Sequence, residues 1–275
     1  MTNEAQIEYW NREAGETWAR YHDRLHRQIE PLGARALELL SARPGERILD
    51  IGCGCGQTSR ALAAAVAPGG EVVGVDVSRP MLAVARDEGA GIPHLSFEEA
   101  DAATARFDRP FDAAFSRFGV MFFEEPVPAF ANIAAALKPG GRLAFVCWQG
   151  LQANDWMRTP LMAAMPYLPP LPVADPHAPG PFAFADKDRL RAILEGAGFT
   201  GIDIAPYEQP IGGNGLEETL DLTFRVGPLG AMIRENPDLR PAVEGAVRAA
   251  LAAEADATGA VWMRGAVWLA SAQRA

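Results

Sequence analysis

Between Glu46 and Trp148, short apolar runs alternate with amphipathic segments, with glycine and proline marking the boundaries. "ERILDIG" is a brief apolar run ending in glycine and reads as a buried strand. Gln57–Ala67 carries Leu62 and Val66 on one helical face and stops at Pro68-Gly69-Gly70. "EVVGVDV" (Glu71–Val77) is a second strand, after which Ser78 is placed to cap a helix with Pro80 in its first turn. That helix breaks between Gly89 and Pro93. Strands are expected at His94–Asp101, Phe111–Gly119 and Arg142–Trp148, with a helix over Ala129–Leu137. Strands separated by helices build βαβ units, and these give a parallel sheet with helices on both faces. Such sheets hold ligands at the carboxyl ends of their strands. The residues to watch are therefore Asp50 to Gly56, Asp76, Asp101, Ser116 to Phe118, and Trp148.

The flanks add to this core without repeating it. Residues 1–45 read as an N-terminal helical cap whose apolar stripe is Ile29, Leu32, Ala36, Leu37 and Leu40. Residues 46–150 form the core, and residues 151–185 a loop or lid that contains the proline run Pro166 to Pro181. In the C-terminal part, residues 186–275, a capped helix spans Asp186–Gly198. Late strands at Ile202–Ile211 and Ala260–Gln273 follow, with helices Leu216–Phe224 and Leu239–Ala253 in an insertion near residues 214–256. All of this is expected to make one domain.

Composition narrows the function. Hydrophobic residues make up 49% and charged residues 22% of the 275, enough to bury a sizeable core. No run approaches the roughly 20 apolar residues of a membrane span, and the polar start shows no signal peptide. A formal net charge of −10 disfavours a nucleic-acid partner. Three cysteines, Cys53, Cys55 and Cys147, are too few for a disulfide framework, so a reducing cytoplasm is expected. Cys53 and Cys55 lack a second pair at zinc spacing, and no metal is expected.

"LDIGCGCGQTS" sets Asp50, Gly52, Gly54 and Gly56 in the turn from the first strand into the first helix. Glycines there allow positive φ and let a ligand approach the backbone. The spacing is G-x-G-x-G rather than the dinucleotide pattern G-x-G-x-x-G. Asp50 would repel a pyrophosphate and suits an ammonium group, unless it merely caps the turn. Asp76 ends the second strand, where a carboxylate can accept ribose hydroxyls. Asp101 ends the third, where it can accept from an adenine amine. A ligand with adenine, ribose and an ammonium but no phosphate is S-adenosylmethionine.

"ERILDIGCGCGQTS", "VVGVDVS", "EEADAAT", "FDAAFSRFGVMFF" and "LKPGGRLAFVCW" resemble, in order and spacing, the motifs of the class I (Rossmann-like) S-adenosylmethionine-dependent methyltransferases. The chain looks most similar to the bacterial small-molecule branch near the ubiquinone/menaquinone C-methyltransferases, firmly over residues 46–150. The resemblance implies a Rossmann-like α/β fold whose seven-stranded, mostly parallel sheet ends in an antiparallel strand. It implies S-adenosylmethionine as cofactor and S-adenosylhomocysteine as product. Asp50, Gly52 and Gly54 would line its methionine end, Asp76 would take the ribose, Val77 and Met81 would lie beside the adenine, and Gln57 is a further cofactor-binding residue. Asp101 and Ala102 would take the adenine edge, and Ser116 would touch the cofactor through its backbone.

Arg117, Phe118, Met121, Trp148, Trp156 and Phe182 are the expected acceptor pocket, which is largely apolar and aromatic. Methyl transfer from an activated sulfonium needs chiefly positioning and desolvation. A general base is needed only for an acceptor of high pKa. His22 and His26, four residues apart on one helical face, are the candidates, with a solvated face as the plain alternative. The expected reaction is methylation of a small apolar or aromatic metabolite at O or C. Two rivals stay open: a cofactor-binding protein that transfers no methyl group, and an NAD-dependent oxidoreductase. A small-molecule partner is expected and no membrane, with a homodimer left open.

Overall fold

The computed structural model describes residues 3–169 and 175–275. Seven strands form one sheet: β1 (Arg47–Ile51), β2 (Glu71–Asp76), β3 (Leu95–Glu99), β4 (Phe111–Arg117), β5 (Leu137–Trp148), β6 (Phe199–Gly215) and β7 (Ala260–Arg274). Their order is β3-β2-β1-β4-β5-β7-β6. The first five run parallel, and β7 is antiparallel to both β5 and β6. β1, β2 and β4 are almost wholly buried, as strands covered on both faces must be.

Eleven helices accompany the strands among the described residues. α1 (Glu4–Asn11), α2 (Glu13–Arg20) and α3 (His22–Leu40) precede the sheet. α4 (Gln57–Val66), α5 (Arg79–Glu88) and α6 (Pro126–Ala136) lie between its parallel strands. α7 (Asp155–Ala164) and α8 (Lys187–Gly196) follow β5, and α9 (Leu216–Thr223), α10 (Gly227–Glu235) and α11 (Arg240–Ala252) lie between β6 and β7. The expected α3 stripe faces inward: Ile29, Leu32, Ala36 and Leu40 are buried, and Leu37 is partly so. Asp186 caps α8, its carboxylate accepting from the Asp188 and Arg189 N–H groups.

Two main apolar clusters result, beside a small one of Leu25, Leu222 and Val226. The larger wraps the sheet and includes the fully buried Phe111, Phe115, Phe130 and Phe145. The smaller joins α7, α9, α10 and α11 to β7 through Leu161, Leu220, Leu229, Val247, Leu251 and Val261.

Three local readings need correction, and one element was not foreseen. β5 begins at Leu137, five residues before the expected Arg142, because buried Leu137 pairs with Phe111 ahead of a register shift in β4. α7 lies where a loop was expected. Pro160 lies inside it, yet Met157, Pro160, Leu161 and Ala164 bury one continuous face. α10 had no sequence forecast. It starts at Gly227-Pro228 and needs glycine at 230, where a Cβ would lie 2.6 Å from the Arg225 backbone. Ser78 occupies the N-cap position of α5 but its side chain does not cap it, since its hydroxyl donates to the Trp10 carbonyl at 2.7 Å. The proline run falls partly outside the described residues.

No helix among the described residues is long and apolar enough to cross a membrane.

Candidate active site

The strand order reverses between β1 and β4, so the chain leaves those neighbouring strands in opposite directions and opens a crevice at their carboxyl ends. There the glycine turn is drawn tight. Gly52, Gly54 and Gly56 all have positive φ (64°, 56° and 78°). A Cβ on Gly52 would lie 2.7 Å from the Gly119 Cα, so the loops leaving β1 and β4 touch backbone to backbone. Gly54 has nearly open space above it, with only the Met81 sulfur at 3.7 Å from such a Cβ. Gly56 begins α4 without a side-chain cap, leaving first-turn N–H groups free for a ligand.

Asp50 lies beneath this turn, fully buried. Its Oδ2 accepts from Thr58 Oγ1 at 2.8 Å and Ser59 Oγ at 2.6 Å, tying β1 to α4. Its Oδ1 is buried and has no partner within the protein. Burial pushes the Asp50 carboxyl up to about 6, against the pull of those two hydroxyls. Asp76 is 8% exposed, and its oxygens accept from Gly54 N–H and Ser78 N–H, each at 2.8 Å. Burial raises its pKa and the backbone donors oppose the rise. Asp101 gives Oδ1 to the Ala103 N–H at 2.9 Å.

A cavity of about 190 Å³ runs over these groups. One end is lined by Gly52, Gly54, Gln57, Asp76, Val77, Met81, Asp101 and Ala102. The other is walled by Arg117, Phe118, Met121, Trp148 and Trp156. Phe118 stacks on Trp148 with ring centroids 4.3 Å apart. To do so Phe118 adopts φ 63°, a left-handed conformation unusual for a bulky residue and the kind of strain that collects at functional sites.

The structure thus brings together on one cavity eight of the ten expected cofactor residues, all but Asp50 and Ser116. Asp50 stays below the turn. Ser116 is buried, its hydroxyl donating to the Ile51 carbonyl at 2.8 Å. Of the six expected pocket residues only Phe182 stands outside the wall; it packs on the core behind Pro181, which does line the cavity.

His22 and His26 both reach the cavity. His22 Nδ1 is 3.3 Å from Gln57 Nε2, and its Nε2 is 3.5 Å from Glu88. His22, Asp23 and Glu88 bring three possible metal-ligand atoms within 4.8 Å, but Glu88 is already paired with Arg60 at 2.6 Å. His26 Nδ1 lies 2.9 Å from Arg117 Nη1. A guanidinium only donates, so Nδ1 accepts and the neutral ring carries its proton on Nε2. Burial first, then the Arg117 charge, lowers the His26 pKa to about 4. In this arrangement Arg117 takes the Nδ1 lone pair, which weighs against the expected role of His26 as a base. Burial pushes the Cys55 thiol up to about 12 and that of Cys53 well up too. Neither is a ready thiolate.

The residues that sequence reasoning missed come from the N-terminal elbow. Asn11 Nδ2 donates to the Val77 carbonyl at 2.7 Å, and its Oδ1 accepts from the Arg79 N–H at 3.0 Å. Asn11 therefore caps α5 across 68 residues of chain, a task sequence reasoning gave to Ser78. Asn3, Gln6 and Gln28, which sequence reasoning also missed, line the cavity beside Trp10 and Trp18. No local pattern marks Asn11, whose partners are distant in sequence.

The fold and site together define a Rossmann-like α/β protein with one deep ligand cavity at its strand-order switch. Residues 48–141 match the family described as "Methyltransferase domain". Aklanonic acid methyltransferase of Streptomyces sp. is 37% identical over 118 residues, which are 42% of this chain and 54% of that one. Demethylmenaquinone methyltransferase of Staphylococcus carnosus is 27% identical over 183 residues, 63% and 76% of the two chains. Among solved structures, the YcgJ protein of Bacillus subtilis superposes with a TM-score of 0.58 at 17% identity, over 89% of this chain and 98% of that one. The likeness to methyltransferase domains thus lies in the central part of the chain by sequence, and the fold shared with YcgJ extends over most of the chain. The chain spans about half the length of the aklanonic acid enzyme it matches.

Proposed function

We propose that this chain is an S-adenosylmethionine-dependent methyltransferase. It acts on a small apolar or aromatic metabolite at O or C, by in-line displacement, and releases S-adenosylhomocysteine. The observation that carries the reading is the single cavity joining the glycine turn and the strand-end carboxylates to an aromatic chamber. Relatives named for aklanonic acid and demethylmenaquinone are consistent with it.

The residues present fit that cofactor. The orphaned, buried Asp50 Oδ1 sets negative potential under the turn, where a cationic amino-acid group is welcome. Asp76 retains acceptor capacity beyond its two backbone bonds, as a ribose requires. Asp101 keeps one oxygen for an amine. When bound, S-adenosylmethionine supplies a methyl group already activated on a sulfonium. The chain orients and desolvates the acceptor, and the Phe118 and Trp148 faces favour nearby positive charge. His22 is the remaining candidate base, for acceptors that need one.

We read the chain as one domain because cap, core and insertion all contribute to the cavity wall. The three cysteines are free and buried, which suits a reducing, cytoplasmic setting. No nucleic-acid, membrane or metal partner is proposed, and sedimentation would show whether the chain forms a homodimer.

Calorimetry with S-adenosylmethionine and NAD, followed by mass spectrometry for S-adenosylhomocysteine over a panel of phenols, enols and carboxylic acids, tests the reading. Tight NAD binding, or methylation of protein or nucleic acid alone, would defeat it.

A further inference from the structure

Arg117 ends β4 and enters the cavity wall half-buried. α3 makes room for it at Gly33, where a Cβ would lie 2.6 Å from the Arg117 Cδ. The guanidinium has five N–H donors. Among the described residues its one hydrogen-bond partner is the neutral His26 ring, and it forms no ion pair with a carboxylate. Asp50 and Glu30 attract it only from a distance, while burial disfavours its charge. Cations drawn away from water are as a rule paired. A second donor in the same wall is also unanswered: Trp156 Nε1 is buried and has no acceptor. Phe118, Met121, Trp148 and Met157 line the same cavity together with Gln28, so the wall holds donors for a guest that brings acceptors.

We propose that Arg117, positioned by His26, is an anion receptor for a ligand carboxylate, enolate or phenolate in this cavity. The inference rests on the methyltransferase reading and sharpens it, since the anionic group comes either from the methyl acceptor or from the amino-acid end of the cofactor. His26 acts through Arg117: its Nδ1 lone pair fixes one edge of the guanidinium and leaves the other edge for the ligand.

The experiment is calorimetry on wild type, Arg117→Gln and Arg117→Lys, with thermal melts to show that each variant folds. The probes are S-adenosylhomocysteine and decarboxylated S-adenosylmethionine, then 2-naphthoate against 2-naphthamide on the S-adenosylhomocysteine-loaded protein. If the cofactor is the source, Arg117→Gln weakens S-adenosylhomocysteine roughly 10- to 100-fold and leaves the decarboxylated compound unchanged. If the acceptor is the source, wild type prefers naphthoate to naphthamide, Arg117→Gln loses the preference, and Arg117→Lys keeps part of it. The naphthoate comparison needs only wild type, so a misfolded variant cannot hide the answer. Wild type that binds no S-adenosyl compound defeats the methyltransferase reading and the inference with it. The inference alone is overturned if wild type binds S-adenosyl ligands but prefers no anion and Arg117→Gln leaves S-adenosylhomocysteine affinity intact.

Discussion

Asp76 holds two backbone N–H groups, from Gly54 and Ser78, and still faces the cavity. Its carboxylate thus shapes the glycine turn and presents acceptors to the cofactor. Asp76→Ala is expected to cost roughly 1.5–3 kcal/mol of cofactor binding by calorimetry, and an unchanged affinity would contradict the assigned site. Gly52 answers to geometry alone. With φ 64° and the Gly119 backbone 2.7 Å from any Cβ, Gly52→Ala should destabilise the fold by roughly 2–5 kcal/mol in urea unfolding. His26 carries the pH dependence. Its folded pKa of about 4 lies below the ordinary 6.5, so between those values the unfolded chain binds more protons. The His26 contribution is complete above 6.5 and is lost as pH falls toward 4. Asp50, raised to about 6 from 3.8, has the opposite slope, because there the folded chain holds the extra proton. Melting curves of wild type and His26→Gln from pH 7 to 4.5 isolate the histidine, since the Asp50 slope is common to both. The wild type should lose stability faster on acidification.

At the scale of elements, the α1–α2 elbow is held to the β2–α5 corner by Asn11, by the Ser78 hydroxyl and by the close seat of Gly15. A Cβ at residue 15 would fall 1.9 Å from the Trp10 carbonyl oxygen. Gly15→Ala is therefore expected to shift Trp10 off the cavity and to weaken S-adenosylhomocysteine binding. The sheet's unfolding midpoint should be nearly unchanged, because α1 buries no residue and α2 only Ala14 and Gly15. Titration calorimetry beside a thermal melt separates the two effects. The core strands were legible because each is a short apolar run that must be covered on both faces. α7 and α10 were hidden by Pro160 and by Gly227, Pro228 and Gly230, residues that read locally as breaks. Packing against the smaller apolar cluster overrides that preference, since burial of Leu161, Leu229 and Ile233 outweighs the local cost.

For the whole molecule, the second cluster ties the insertion to α7 and so to Trp156, Met157, Val226 and Gly227, which close the far wall of the cavity. Val247 is fully buried at its centre. Val247→Ala should cost about 1–3 kcal/mol and loosen α9, α10 and α11 as a unit. Hydrogen exchange would then rise in those helices before it rises in β1, β2 or β4. Acceptor turnover should fall more than cofactor affinity, because the glycine turn belongs to the other cluster; equal losses would show that the two clusters open as one.

The sequence by itself determined the alternation of strands and helices, the place of the glycine turn and the identity of the carboxylates at two strand ends. Those are local facts: apolar periodicity, turn chemistry and the position of an acid at the end of a strand. Only the tertiary structure decided which acids meet the cavity. Asp76 and Asp101 reach it, while Asp50, one strand away, is turned under by the hydroxyls of Thr58 and Ser59. Only the tertiary structure set His26 against Arg117, 91 residues apart, and so engaged the Nδ1 of a candidate base. A side chain's protonation and direction depend on neighbours brought from elsewhere in the chain, and no local pattern encodes them.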